Sequence, residues 1–394
     1  MDSLLFNAIL YISLAFFYKR KNKNNVILFY LTIAYAFVAI IAFFINDTQF
    51  YTWGQYYQYG NLLRQPASYE SILYVFVAYL IFIYPIKSWN NSIIRTINPI
   101  KWNMVYYFSV FSICISLIYI VLTFNTVSTL NTNDYLDIYQ NAKEGQEKTF
   151  TTYIGIICNG LRSGSIILSF YLLTEKIHKY KLGVILLITT ILVKYIDATL
   201  VASRGAIFFL VFELFMAFLI FKNFISHTIR KKIFITGSIL IGFFISLIIA
   251  ISIARFDTRI INSICSYFGE SYINFSRIFW NYPGSPLHGQ YTFNMILGGN
   301  EIKTNLPYGF FKTFAGSAYI DFGKIGGIIF LIIQAYCWKK ILGKFKTDID
   351  LHQLIIYHYI IIQILSGVFS LTYQGWSLYA ILTLSYIYFK KAKL

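Results

Sequence analysis

About eleven apolar runs divide the chain, and most are long enough to cross a lipid bilayer. A hydrocarbon core about 30 Å thick is crossed by a helix of about 20 residues, because each helical residue rises about 1.5 Å. The runs extend over roughly residues 3–18, 26–45, 69–86, 104–124, 152–174, 182–201, 205–221, 233–254, 316–338, 354–373 and 376–389. In lipid a spanning segment must satisfy its backbone polar groups internally, which helices do. The sequence therefore predicts an all-α polytopic membrane protein.

The charge distribution predicts the orientation of these helices. The chain carries 33 Lys and Arg against 16 Asp and Glu, but only 12% of its residues are charged and its mean hydropathy is +0.60. No soluble basic segment exists that would bind nucleic acid. Loops on one side of the membrane carry 21 basic residues and loops on the other carry 9. Because basic loops stay cytoplasmic, the C-terminus is expected in the cytoplasm and the N-terminus outside.

Residues 255–315 form the longest interval between two apolar runs. Three of the six prolines lie there, namely Pro283, Pro286 and Pro307, and aromatic residues alternate with charged ones. Loops of this length are uncommon in compact proteins unless they are functional. We interpret the chain as a single integral membrane domain, residues 1–394, with residues 255–315 as a cap loop on the extracytoplasmic side.

Ionisable side chains at membrane depth are costly and therefore indicate functional sites. The segment KYIDATLVASRGA joins the sixth and seventh runs and contains Lys194, Asp197 and Arg204. Lys194 and Asp197 are three residues apart, so they can pair on one helix face. Arg204 lies at the outer boundary of the membrane. It is a candidate anion ligand, and the alternative is an arginine that extends to the lipid headgroups.

Residues 259–281 of the cap follow a helical period. The polar side chains recur at steps of three and four residues: Arg259, Ser263, Ser266, Glu270, Asn274, Arg277 and Asn281. The apolar side chains do the same: Ile264, Phe268, Tyr272, Phe275 and Phe279. The pattern predicts an amphipathic helix along the outer interface, with Gly269 as a candidate bend. The alternative to a binding face is a solvated face on a helix that rests on the membrane.

Arginine is well suited to binding phosphate, because its planar guanidinium donates two hydrogen bonds in parallel. The outer side is poor in positive charge, and four of its arginines flank or lie in the membrane turn and the cap: Arg204, Arg255, Arg259 and Arg277. We expect them to bind a diphosphate or another polyanion. Candidate sugar contacts in the cap and at the start of the following run are Asn274, Trp280, Tyr291 and Asp321. For the aromatic residues, anchoring in the membrane interface is the alternative.

Three segments carry a resemblance to a known family: SRGA at 203–206, GESYINFSRIFWNY at 269–282 and FAGSAYIDFGKIGGII at 314–329. In these segments the chain resembles the oligosaccharide repeat-unit polymerases, the Wzy-type O-antigen and capsular polysaccharide polymerases of bacterial inner membranes. The third segment is the most specific, because Asp-Phe-Gly precedes a glycine-rich helix start. The resemblance implies a GT-C-like fold in the bacterial cytoplasmic membrane.

The resemblance also implies an activity. The chain would be an inverting, metal-independent glycosyltransferase without a cofactor, and its outer arginines would bind the diphosphate leaving group. Donor and acceptor would both be undecaprenyl-diphosphate-linked oligosaccharides, and a chain-length regulator and a flippase are further expected partners. An O-antigen ligase or another lipid-sugar glycosyltransferase is one alternative. A lipid-linked oligosaccharide flippase or transporter is the other, although no internal repeat is visible.

Glycosyl transfer needs a group that accepts the proton of the attacking hydroxyl, and two cap residues are candidates. His288 lies in the turn-rich segment PGSPLHGQYTF, and imidazole exchanges a proton near neutral pH. Glu270 shares a predicted helix face with Arg277, and a carboxylate that is paired with arginine is a weak base. We favour His288 over Glu270, and an ordinary loop histidine is the alternative.

Overall fold

The computed structural model describes residues 2–21, 26–45, 65–89, 94–98, 101–129, 150–200, 204–256, 260–281, 286–297, 311–343 and 347–370. The fold of these residues is all-α, as predicted. The helices are α1 (Ser3–Lys21), α2 (Val26–Phe44), α3 (Tyr69–Phe82), α4 (Tyr84–Lys87), α5 (Trp102–Ser128), α6 (Phe150–Leu172), α7 (Tyr180–Leu200), α8 (Arg204–Phe221), α9 (His227–Phe256), α10 (Ile260–Asn274), α11 (Gln290–Leu297), α12 (Thr313–Leu342) and α13 (Leu351–Ser366). A π-helical turn (Phe275–Phe279) follows α10, and two short strands are β1 (Thr96–Ile97) and β2 (Asp348–Ile349).

Each predicted apolar run that the structure describes contains a helix, whereas α10 and α11 lie in the cap loop. Six are long and apolar enough to cross a membrane: α2, α5, α6, α7, α9 and α12. Three shorter apolar helices, α3, α8 and α13, occupy further predicted runs, and α1 occupies the first. The predicted run 376–389 lies outside the described residues. The chain is thus a multi-pass membrane protein, with six helices of spanning length in the described residues where about eleven runs were predicted.

The exposed faces of the long helices are apolar. Large aliphatic and aromatic side chains are exposed along α5, α9 and α12, among them Val121, Phe124, Phe234, Ile239 and Ile325. Soluble proteins rarely expose apolar surface of this extent, because contact with water is unfavourable. Contact with lipid removes that cost, so these faces fit a bilayer.

The chain divides into two compact units. The first unit comprises Met1–Ile93, Ile261–Lys346 and Ile360–Gly375, and the second comprises Ile94–Ile260, Thr347–Tyr359 and Trp376–Leu394. In the second unit α5, α6 and α7 pack on one another, and α8 packs on α6 and α7. Strand β1 pairs with β2 in parallel, and this pairing joins two segments that lie far apart in the sequence.

The core of the first unit is rich in tyrosine. Tyr11, Tyr35 and Tyr79 lie in mutual ring contact, with centroids 4.3–5.6 Å apart, and Tyr272 of α10 lies 6.1 Å from Tyr11. Each such aromatic pair contributes about 0.5–1.5 kcal/mol beyond the burial of its area. Tyr35 donates a hydrogen bond to the carbonyl of Ile364 at 2.6 Å. The tyrosine cluster therefore connects α1, α2, α3 and α10.

Helices α3 and α12 lie side by side in the first unit. Lys324 Nζ lies 3.3 Å from Glu70 Oε2 near the start of α3, and Lys339 Nζ donates to Tyr84 Oη at 2.6 Å just beyond its end. Residue numbers rise in the same direction at both contacts, so α3 and the second part of α12 run parallel. Their N-terminal ends consequently lie at the same level.

Helix α10, within the predicted segment 259–281, is uninterrupted at Gly269, and the residues from 271 to 279 are buried. A Cβ atom on Gly269 would lie 2.9 Å from the backbone nitrogen of Ala42, so this glycine permits close packing of α10 on α2, and the predicted bend stays a prediction. All of residues 271–279 are buried. The alternative of a solvated polar face therefore does not hold for residues 271–279, and the position along the membrane interface stays a prediction.

Candidate functional site

Helix α12 is broken at Gly323. This residue has φ 75° and ψ −177°, a backbone conformation that is essentially restricted to glycine. The sequence predicted one uninterrupted span over 316–338, which is wrong at this position. Residues 324–342 alone extend about 28 Å at 1.5 Å per residue. That length matches a hydrocarbon core of about 30 Å, so we assign residues 313–322 to the cap side of the break.

At the break, backbone carbonyls of α12 accept hydrogen bonds that the cap segment donates. Leu287 donates its N–H to the carbonyl of Ile320 at 3.0 Å, and Gly289 donates to the carbonyl of Asp321 at 3.2 Å. In an unbroken helix these carbonyls would accept from residues four positions further on. The segment that carries His288 is thereby attached to the broken end of the helix by its main chain.

Asp321 holds the start of α11. Its fully buried carboxylate accepts hydrogen bonds from the backbone N–H groups of Tyr291 at 2.9 Å and Thr292 at 2.6 Å. A carboxylate at a helix N-terminus satisfies N–H groups that have no partner within the helix, and it interacts favourably with the helix dipole. Two of the predicted sugar-binding residues, Asp321 and Tyr291, are thus brought together. In the structure the Asp321 side chain of α12 serves as a hydrogen-bond acceptor at the N-terminus of α11.

His288 presents an exposed imidazole on a fixed turn. The residue has φ 51°, in the left-handed region, and Gly289 has φ 87°. Because the N–H groups on either side of His288 are bonded to the helix break, its backbone is held in place while its ring remains accessible. This geometry suits a group that meets a substrate from solution. Glu270, the rival candidate, is half-buried on α10.

Asn274 and Arg277 lie where α10 passes into the π-helical turn. Such turns widen the helix, shift the direction of the following side chains and occur frequently at functional sites. Arg277 is 5% exposed and Asn274 is fully buried. Asn274 donates through Nδ2 to the carbonyl of Phe311 at 3.0 Å, while its Oδ1 has no hydrogen-bond partner within the described residues. A buried acceptor of this kind can receive a hydrogen bond from a ligand hydroxyl.

Lys312 is a site residue that the sequence reasoning missed. Its side chain is fully buried, and Nζ lies 4.4 Å from the ring centroid of Tyr291 and 5.7 Å from that of Phe279. Burial lowers the pKa of the ammonium to about 7, and the nearby Asp321 carboxylate partly opposes this effect. The available signal was its position, because Lys312 stands two residues before the segment FAGSAYIDFGKIGG.

Trp280 belongs to an aromatic group at the edge of this site. Its ring stacks on Tyr319 with centroids 5.3 Å apart, and Lys324 Nζ lies 4.6 Å from the Trp280 ring centroid. Tyr319 also donates to the backbone carbonyl of Trp280 at 3.2 Å. The ring of Trp280 is therefore half-buried and already in contact with an aromatic ring and a cation.

Of the four arginines that were predicted to bind an anion together, the structure describes the side chain of Arg277 alone. Arg277 lies in the site, whereas Arg259 lies outside the described residues. Arg204 begins α8 and Arg255 lies near the end of α9, but the structure describes only their backbones. A joint anion site of all four stays a prediction.

The second unit contains a network of charged side chains between its helices. Arg162 donates through Nε and Nη2 to the two carboxylate oxygens of Glu213 at 2.8 and 2.9 Å. Nη1 of Arg162 donates to Asn159 Oδ1 at 2.8 Å, and Asn159 Nδ2 in turn donates to Asp197. The predicted pair is present but loose, with Lys194 Nζ 4.0 Å from Asp197 Oδ2.

Arg162 and Glu213 were not among the predicted site residues. They lie on different helices, α6 and α8, so no local spacing connects them. The sequence did show that a basic residue, Arg162, and an acidic residue, Glu213, each lie inside an apolar run.

A comparison with protein-family models finds no match, and neither does a comparison with curated proteins or with solved structures.

Proposed function

We propose that this protein is a membrane glycosyltransferase that polymerises undecaprenyl-diphosphate-linked oligosaccharide repeat units into O-antigen or capsular polysaccharide. It acts on the outer face of the bacterial cytoplasmic membrane, with about eleven spans in a GT-C-like arrangement and the cap loop outside. The resemblance of three sequence segments to the repeat-unit polymerases supports this proposal. The orientation follows from the unequal distribution of basic residues between the two sides.

The observation that carries the proposal is the burial of two cationic side chains of the cap region, Arg277 and Lys312. The π-helical turn that carries Arg277 packs on α12, and α12 begins directly after Lys312. Charge-assisted hydrogen bonds to phosphate are about twice as strong as neutral ones, and they strengthen further where water is excluded. A guanidinium and an ammonium in such a setting are suited to a diphosphate.

Each residue has a role in the proposed reaction. Arg277 and Lys312 stabilise the charge that develops on the diphosphate as the bond between the anomeric carbon and its phosphate oxygen breaks. His288 accepts the proton of the acceptor hydroxyl that attacks this carbon from the opposite face, which inverts its configuration. Asn274 Oδ1, which has no hydrogen-bond partner within the described residues, accepts a hydrogen bond from a sugar hydroxyl.

Substitution of Arg277 tests the diphosphate site. Arg277→Lys keeps the charge but loses the planar fork, so we expect chain extension by the purified protein to fall roughly 30- to 1000-fold, or about 2–4 kcal/mol. The matched control is Arg95→Lys, an exchange at an exposed residue of the second unit. Normal polymer length and rate in Arg277→Lys, at equal protein level, would remove Arg277 from the reaction.

Substitutions of His288 and Glu270 distinguish the two candidate bases. With a lipid-linked repeat unit as substrate, His288→Ala should abolish chain extension and leave binding of the lipid donor intact. Glu270→Gln should retain partial activity. The reverse result, a normal histidine variant and an inactive glutamine variant, would assign the proton transfer to Glu270.

The second candidate function is a lipid-linked oligosaccharide transporter, and the ionic network of the second unit favours it. Charged groups within transmembrane helices often mark substrate or ion pathways. Reconstituted protein separates the two functions. If lipid-linked repeat units cross the vesicle membrane without being joined, and Glu213→Gln stops this crossing, the protein is a transporter. Polymer formation without net crossing supports the polymerase.

A further inference from the structure

The two carboxylates of this network, Glu213 and Asp197, each accept two hydrogen bonds from donors other than Lys194. Glu213 accepts both hydrogen bonds of the Arg162 fork and is 1% exposed. Asp197 accepts from the Tyr119 hydroxyl on Oδ1 and from the Asn159 amide on Oδ2. Neither carboxylate therefore depends on a close contact with the remaining cation of the network.

Lys194 is held only loosely by these groups. Its Nζ lies 3.4 Å from Asn159 Oδ1 and 4.0 Å from Asp197 Oδ2. An ammonium has three N–H donors, and leaving donors unsatisfied within a membrane helix is costly. The side chain is 13% exposed, so bulk solvent does not readily supply the missing acceptors. Lys194 thus needs an acceptor that the described protein groups do not provide.

A small cavity lies next to this ammonium. Besides Lys194 and Arg162, its lining contains hydrogen-bonding side chains and two less polar ones: Ser112, Ser116, Cys158, Asn159, Ser165, Thr190 and Val193. Neither Asp197 nor Glu213 lines it. The cavity volume is about 10 Å³, which leaves room for a single small occupant. The cavity is therefore a polar space with two cations and no carboxylate in its wall.

We infer that this cavity binds one small monovalent anion of halide size. The charge of Arg162 is neutralised by its fork with Glu213, whereas the charge of Lys194 has its nearest counter-charge 4.0 Å away. A negative acceptor in the cavity completes the coordination of this ammonium. The hydroxyls of Ser112 and Ser165 share a hydrogen bond at 2.6 Å, so one of the two O–H groups stays available to donate to the anion. This inference is independent of the proposed function, because it concerns the second unit alone.

Equilibrium binding of radioactive chloride to the full-length protein in detergent tests the site. We expect saturable binding of about one chloride per chain, competed by bromide and not by gluconate, which is too large for the cavity. Chloride should also raise the melting temperature by roughly 1–3 °C over gluconate at equal ionic strength. Lys194→Met should abolish both effects, and Lys340→Met, at an exposed lysine of α12, should leave both unchanged.

A second variant keeps the test decisive if Lys194→Met does not fold. Ser112→Ala removes one hydroxyl from the cavity wall, and we expect it to weaken chloride binding about 5-fold. Absence of saturable chloride binding in the wild-type protein would show that the cavity holds water only. Chloride binding that persists unchanged in both Lys194→Met and Ser112→Ala would place the anion elsewhere. Either result overturns the inference.

Discussion

Replacement of Lys312 by methionine should stabilise the protein near pH 7 and remove part of its pH dependence. The native pKa of about 7 lies below the usual value of 10.5 because the ammonium is buried. Between these two pH values the unfolded chain binds a proton at Lys312 that the folded chain does not bind. The free energy of unfolding of the wild-type protein should therefore rise with pH in this window, by up to about 1.4 kcal/mol per pH unit from this group.

The variant lacks this contribution, so the two proteins should converge as the pH rises. From pH 7 to pH 10 the advantage of Lys312→Met should shrink by roughly 2–4 kcal/mol, on the order of 5 °C in melting temperature. Other groups that titrate in the window are common to both proteins and cancel in the difference. Intrinsic tryptophan fluorescence in detergent at pH 7, 8, 9 and 10 measures it.

The control for this experiment is Lys324→Met, because that side chain is 58% exposed. Its melting temperature should follow the wild-type pH profile closely. Parallel profiles for the wild-type protein and Lys312→Met would refute the reasoning, because they would mean that folding does not perturb this ammonium. If Lys312→Met is more stable but inactive in chain extension, the buried charge is maintained for function at a cost in stability.

Three further outcomes are expected. Gly269→Ala should destabilise the protein by roughly 1–3 kcal/mol in thermal melting, because its Cβ would approach the backbone of α2 to 2.9 Å. Gly323→Ala should cost about 1–3 kcal/mol through backbone strain at φ 75°, whereas Gly237→Ala, which has no atom within 4 Å of its Cβ position, should not destabilise. A reporter that is active only outside the cytoplasm should be active after Asn294 and silent after Lys346, and the opposite pattern would reverse the orientation.

The positions of the helices could be predicted from the sequence, because length and hydropathy are local properties. Each predicted run within the described residues contains a helix, often with bounds that differ by only a few residues. The break at Gly323 was not predicted, because glycine is common in membrane helices and rarely interrupts them. This glycine differs because residues 287 and 289 donate hydrogen bonds to the carbonyls of Ile320 and Asp321 just before it. The partners in these bonds are more than 30 positions apart in the sequence.

The candidate site was predictable only in its residue types. The helical period singled out Asn274 and Arg277, but a periodic polar face is the same whether it meets water or the interior of the protein. Lys312 has no neighbouring charge in the sequence, and its proximity to Asp321 depends on the course of α12. Arg162 and Glu213 meet across two helices, so their pairing required the packing of the second unit.

The docking of the cap on the broken helix has a consequence for sequence variation. The hydrogen bonds described for this contact are donated by the backbone N–H groups of Leu287, Gly289, Tyr291 and Thr292, and any residue except proline supplies such a donor. These hydrogen bonds therefore constrain the carboxylate at 321 and the glycines at 289 and 323, and they place no requirement on the exposed side chains of the segment. Related chains could therefore exchange those exposed side chains without losing the attachment of the cap segment.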